Sequence, residues 1–190
     1  LLELQKFNIN NSPIGLQVIW ITPLRALAKD IQKALSYFCE HLELPWKIEI
    51  RTGDTTSSQR ARQLQKAPTC LITTPESLHI LFSQKKSNPF FKNVKAIIVD
   101  EWHELMGTKR GVQTELALAH IKSLSKHPLK IWAISATIGN LEEASKVLLG
   151  PMHNEEPIII KAEIDKKTEI ESIIPDKIER FPWAGHLGLK

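Results

Sequence analysis

The chain has 190 residues, 42% apolar and 24% charged, with 25 Lys and Arg against 21 Asp and Glu for a net charge of +4. That length suits about one domain whose core needs no disulfide or metal staple, and the composition excludes a disordered or fibrous chain. The small positive charge permits nucleic-acid binding without diagnosing it, and no apolar run reaches the roughly 20 residues of a membrane-spanning helix. Cys39 and Cys70 each sit in an apolar stretch with no metal-ligand spacing. They read as buried thiols of a protein in a reducing, cytoplasmic compartment.

Leu1, Leu2, Leu4 and Phe7 have helical spacing with no capping residue ahead of them, so the chain is expected to begin inside a helix. Residues 17–22 form a nearly continuous β-branched run, as in a strand buried on both faces, and Pro23 ends it. A helix over 24–42 comes next, with Leu24, Leu27, Ala28, Ile31, Ala34, Leu35 and Phe38 on its inner side. A short strand over 47–51 leads into a Thr52-Gly53-Asp54 turn, and Thr56 or Ser57 is placed to cap a polar helix ending near Lys66. The next strand covers 69–73, and Pro75 opens a helix through Ser77, Leu78, Ile80 and Leu81. A strand over 96–99 ends in acidic residues. A helix over 111–124 is expected to turn Val112, Leu116 and Ala119 inward, with Ala117 and Ile121 as further candidates. A strand over 130–134, a helix over 141–149 and a last strand over 157–161 complete the pattern. Trp20, Trp46 and Trp132 read as core or packing residues, and Lys85-Lys86 and Lys166-Lys167 as solvated surface.

Strands alternate with helices and lack period-2 polarity, which predicts an α/β fold with a mainly parallel sheet covered on both faces. In such sheets ligands bind beyond the carboxyl ends of the strands. The chemistry-bearing residues fall there: Pro23-Leu24-Arg25, Thr52-Gly53-Asp54, Thr74-Pro75-Glu76, Asp100-Glu101 and Ser135-Ala136-Thr137.

Asp100 and Glu101 come directly after a buried strand. In nucleotide hydrolases such a pair divides the work, one carboxylate serving magnesium and the next orienting the attacking water. The plainer alternative is a solvated strand-to-loop junction, which the neighbouring Trp102, His103 and Glu104 make less apt. A zinc-protease reading of His103-Glu104 fails because the second His would be needed where Gly107 stands. No Gly-x-Ser-x-Gly nucleophile elbow occurs.

Asp100-Glu101-Trp102-His103 resembles motif II of a superfamily-two DExH helicase, Ser135-Ala136-Thr137 motif III, Thr22-Pro23-Leu24-Arg25-Ala26-Leu27-Ala28 motif Ia, and Thr73-Thr74-Pro75-Glu76-Ser77-Leu78 motif Ib. Arg51-Thr52-Gly53-Asp54-Thr55, Asp100 to Leu105 and Lys109-Arg110-Gly111-Val112-Gln113 resemble the large helicase-related (Lhr) family. The stretch from Glu179 to Gly188 is similar to its ligase-associated DEXH-box DNA helicase branch.

The resemblance implies a RecA-like sheet of the P-loop NTPase type, with residues 1–160 as a partial first motor domain and 161–190 as an extension toward a second. It implies ATP and Mg as cofactors, with Asp100 contacting the metal through water and Glu101 as the base. His103 would relay the nucleotide state to Ser135 and Thr137. Pro23, Arg25, Thr52, Gly53, Thr74, Pro75 and Glu76 would contact the backbone of a nucleic acid, DNA by the branch, with Asp54 and Glu76 adding charge of the opposing sign. DNA-repair partners such as a DNA ligase are implied in the same way, and no membrane. One departure stands out: the 190 residues contain no Gly-x-x-x-x-Gly-Lys-Ser/Thr loop. The chain therefore reads as most of motor domain one, cut after that loop and before domain two. Two other readings stay open at this point, a non-catalytic module that binds nucleic acid or a partner, and an RNA-directed motor, since backbone contacts do not separate the two acids.

Overall fold

A computed structural model describes residues 15–85, 87–136, 138–150, 157–162 and 169–171. The expected helix at Leu1–Phe7, Thr137, Lys166-Lys167 and the stretch from Glu179 to Gly188 lie outside them. The elements run β1 (Val18–Ile21), α1 (Arg25–His41), β2 (Ile48–Arg51), α2 (Ser57–Gln65), β3 (Cys70–Thr73), α3 (Pro75–Phe82), α4 (Asn88–Phe91), β4 (Ala96–Val99), α5 (Trp102–Leu105), α6 (Lys109–Leu124), β5 (Lys130–Ala133) and α7 (Leu141–Leu149). All four strand pairs are parallel, in the order β2-β3-β1-β4-β5.

The apolar runs form strands because each residue finds a buried place on one face or the other. Ile19, Ile21, Leu71, Ile97 and Val99 face a large core closed by α3 to α7, with Leu78, Phe91, Trp102, Leu105, Leu118 and Leu148 at its centre. Val18, Cys70, Ile72 and Ile98 face a smaller core closed by Ala28 and Cys39 of α1. Local signals set the helix starts. Thr56 caps α2 through a reciprocal pair with Gln59, and Pro75 takes the first turn of α3 behind Thr74.

Several expectations need correction. In α1 the inner line is Ala28, Ile31, Leu35 and Cys39, a spacing of three and four residues, so Leu24 and Phe38 fall outside it and are exposed. α6 is rolled relative to the expected face: Gly111, Thr114, Ala117, Leu118 and Ile121 are buried, while Val112, Leu116 and Ala119 are exposed. A Cβ at Gly111 would overlap the Leu105 carbonyl oxygen, so this position of α6 admits only glycine against the end of α5. Trp132 is 62% exposed rather than core. It shares the smaller core's face with Trp20 and Ile98, but α1 lies over β2 and β3, at the other end of the sheet. Two helices of four residues, α4 and α5, are too short to carry a period and were not expected.

The chain divides into two compact units, Leu1–Pro157 and Ile158–Lys190. The strand expected over 157–161 does not form. Ile158 and Ile160 are each 90% exposed, and among the described residues this apolar run has no ladder partner. Among the described residues no helix is long and apolar enough to cross a membrane.

Candidate functional site

The in-register ladder brings the last residues of the strands, Arg51, Thr73, Ile21, Val99 and Ala133, to one level. The turns leaving those strands therefore stand side by side along one edge of the sheet. In spatial order they carry Thr52-Gly53, then Thr74-Pro75-Glu76, then Pro23 and Arg25, then Asp100-Glu101 with His103, then Ser135. Residues expected to hold a strand occupy three neighbouring turns, and those expected to serve a nucleotide or to couple it to the strand the other two.

At the acidic end, Asp100 is fixed by its own backbone N–H to the Ile21 carbonyl, 2.8 Å. Its carboxylate accepts the Trp20 indole N–H at 3.4 Å and the Glu101 backbone N–H at 3.1 Å. Glu101 adopts a left-handed backbone, φ 48° and ψ 47°, a conformation that disfavours a residue with a Cβ. Trp102, the next residue, holds this strained turn in place. Its backbone N–H donates to the Ile134 carbonyl at 3.0 Å, and its indole, 1% exposed, donates to the Ala144 carbonyl at 3.2 Å. Trp102 is thus a core anchor, and the turn leaves the Glu101 side chain 39% exposed.

His103 joins β4's turn to β5's. Its backbone N–H donates to Ser135 Oγ at 3.2 Å, its ring Nδ1 lies 3.1 Å from the same oxygen, and the Ala136 N–H donates to Nδ1 at 3.2 Å. That last bond requires a lone pair on Nδ1, so the neutral ring carries its proton on Nε2, which faces Glu104 Oε1 at 3.4 Å. Glu101 Oε2 stands 3.4 Å from Nδ1. Among the described residues no three His, Cys, Asp or Glu side chains converge as a metal cage. A lone, doubly hydrogen-bonded Asp100 suits a magnesium that keeps most of its waters and takes few protein carboxylates.

On the other three turns, Arg25 Nη1 pairs with Asp54 Oδ1 at 2.9 Å with both side chains more than 60% exposed. Its guanidinium lies over Gly53, where a Cβ would come within 2.9 Å of Nη2. Thr74 is buried and its hydroxyl donates to Ser77 Oγ while accepting the Ser77 N–H, so it shapes the start of α3 rather than pointing outward. Thr52 is buried too. A cavity of about 260 Å³ lined by Arg25, Lys29, Thr52, Gln59 and Arg62, among others, opens beside the β2 turn.

Glu76 does not stand free. Arg110 Nε donates to its Oε1 at 2.5 Å, and Arg110 Nη2 donates to Glu76 Oε2 at 3.4 Å and to the Pro23 carbonyl at 2.6 Å. Burial alone would raise the Glu76 carboxyl, but the Arg110 hydrogen bond, its own backbone N–H, the Thr74 hydroxyl and the Arg110 charge together hold it below the usual carboxylate range. Sequence reasoning missed this arginine and the Trp20 indole at Asp100. Neither contact has a local signal, because both cross from one strand's neighbourhood to another's.

The DEAD/DEAH box helicase family model matches residues 2–144. "ATP-dependent helicase Lhr-Core protein 2" of Thermococcus barophilus is 36% identical over 176 residues, 85% of this chain and 20% of that protein. The chain spans about a fifth of the length of the Lhr-Core proteins it matches. Among solved structures, the Mycobacterium smegmatis helicase Lhr bound to ssDNA and AMP-PNP superposes with a TM-score of 0.64 at 32% identity, covering 75% of this chain and 20% of that one. The DUF1998 helicase MrfA bound to DNA and AMPPNP superposes at 0.63 with 25% identity, covering 76% and 20%. The chain belongs to the DEAD/DEAH box helicase family, in its superfamily-two Lhr group.

Proposed function

We propose that this chain is the first motor domain of an ATP-dependent DNA helicase or translocase acting in DNA repair in the cytoplasm. The observation that carries the reading is the alignment along one sheet edge of the Asp100-Glu101 turn with the turns that hold Gly53, Arg25 and Glu76. In support, the similar Lhr and MrfA structures hold DNA together with an ATP analogue.

Asp100 would hold the magnesium of Mg-ATP through water, oriented by the Trp20 and Glu101 donors. When bound, the ion supplies positive charge against the phosphates. Glu101 orients the attacking water and takes its proton, with the left-handed turn presenting its carboxylate beyond the strand. His103 carries the state of that turn to Ser135 through two contacts and to the Ala136 backbone through a third, and by resemblance to Thr137. On the other part, the exposed Arg25–Asp54 pair is weak enough for Arg25 to take a phosphate instead. Gly53 lets a backbone approach closely.

In the full-length protein, Glu101→Gln is expected to retain Mg-ATP binding and lose turnover by about a hundredfold or more. Hydrolysis at the unsubstituted rate would remove Glu101 from the role of base. Strand binding by the full-length protein with no ATP binding at all would favour the non-catalytic module instead.

A further inference from the structure

Arg110 is reached from the acidic end of β4 through a short, stiff path. α5 starts where Trp102 is pinned to β5 through the Ile134 carbonyl and ends at Leu105, whose carbonyl accepts both the Thr108 N–H at 3.2 Å and the Thr108 hydroxyl at 2.7 Å. The Thr108 hydroxyl oxygen in turn accepts the Gly111 N–H at 3.2 Å, capping α6, and Gly111 lies against the Leu105 carbonyl with no room for a Cβ. The first turn of α6 is therefore locked to α5. From that turn the Arg110 guanidinium crosses to the other part of the sheet edge, where one planar fork engages two separate turns: the Pro23 carbonyl after β1 and the Glu76 carboxylate after β3. A lysine could not reproduce this, since a single ammonium on a flexible stem lacks the fixed fork.

We propose that Arg110 is a positioning residue for the nucleic-acid strand, setting the spacing of the Pro23 and Glu76 turns. The inference rests on the functional reading above and adds to it a residue that touches neither nucleotide nor strand. It makes a distinctive claim about salt. A side chain that contacts a phosphate releases counterions, and its loss lowers the slope of log K against log salt by about 0.7 for a single strand. A residue that acts through Pro23 and Glu76 weakens binding and leaves the slope in place.

The test uses the full-length protein, fluorescent single-stranded DNA and two variants, Arg110→Ala and Arg110→Lys, at several salt concentrations. Strand affinity is expected to fall about three- to tenfold in Arg110→Ala and by a smaller factor in Arg110→Lys, with the salt slope unchanged in both. The DNA concentration that half-saturates ATPase stimulation should rise by the same factors while the KM for ATP moves less than twofold. Arg110→Lys is the variant least able to disturb folding, so unchanged affinity in that variant overturns the two-armed clamp. A slope reduced by about 0.7 in Arg110→Ala makes the residue a direct phosphate contact and also overturns it. No strand binding by the unsubstituted protein would instead sink the functional reading, and this inference with it.

Discussion

Single charged side chains in this molecule take their properties from neighbours that the fold supplies. Glu49 shows the effect on stability most directly. Its Oε1 lies 2.7 Å from Lys47 Nζ and 3.1 Å from Arg62 Nη2, and the side chain is 10% exposed. Burial pushes its carboxyl up, yet the Lys47 and Gln63 hydrogen bonds and the two cationic charges outweigh burial and leave it lowered. A carboxyl lowered on folding stabilises the protein above the ordinary glutamate value of about 4.3, and that contribution disappears as the pH falls through the lowered value. Glu49→Gln is therefore expected to destabilise the protein by about 1–2 kcal/mol at pH 7. The difference from the unsubstituted protein should close as urea titrations are carried from pH 5 downward. A gap that stays constant with pH would show that Glu49 acts by packing rather than charge.

At the level of elements, Gly111 sets two tendencies against each other. As a helical glycine it should gain about 1 kcal/mol on replacement by alanine. Its contact with the Leu105 carbonyl argues the other way, because the obstacle is backbone and not a side chain that can swing aside. Gly111→Ala is expected to lower the denaturant midpoint, with a loss of about 1–3 kcal/mol as for other overpacked sites; a raised midpoint would show that α5 and α6 can part without penalty. The same glycine explains where reading from sequence stopped. Proline, glycine and acidic residues punctuate the strand ends, so Pro23, Gly53, Pro75 and Asp100 marked the turns without any knowledge of which strands were neighbours. The buried face of α6 could not be read in that way, since Val112, Leu116 and Ala119 are as apolar as the residues that are buried. What distinguishes the two faces is long-range packing, chiefly against α3, together with the close approach at Gly111. The Arg110 fork was hidden for a related reason: Pro23 lies 87 positions away in sequence and Glu76 34, and their meeting results from β1 lying between β3 and β4.

At the level of the whole molecule, the two thiols report on the integrity of the sheet. Cys70 sits in β3, between β2 and β1, and burial with the nearby Cys39 pushes its thiol up to about 12. Burial raises Cys39 as well. With so little thiolate available, neither is expected to react with an alkylating reagent at pH 8 in the folded chain, and both should react in denaturant. Labelling of Cys70 should proceed at the rate of global unfolding, because an inner strand opens only when the sheet does. Fast labelling of Cys70 under native conditions would contradict the inner position of β3. The topology also matters during synthesis. Of the described strands β1 leaves the ribosome first, yet its two partners pair through Cys70–Thr73 and Ala96–Val99, roughly 50 and 80 residues later. At about 5–20 residues per second, the nascent chain carries an unpaired central strand for several seconds. Through that interval Val18–Ile21 is an open apolar edge available to any other chain, so a strand that ends with a neighbour on each side passes through synthesis with none.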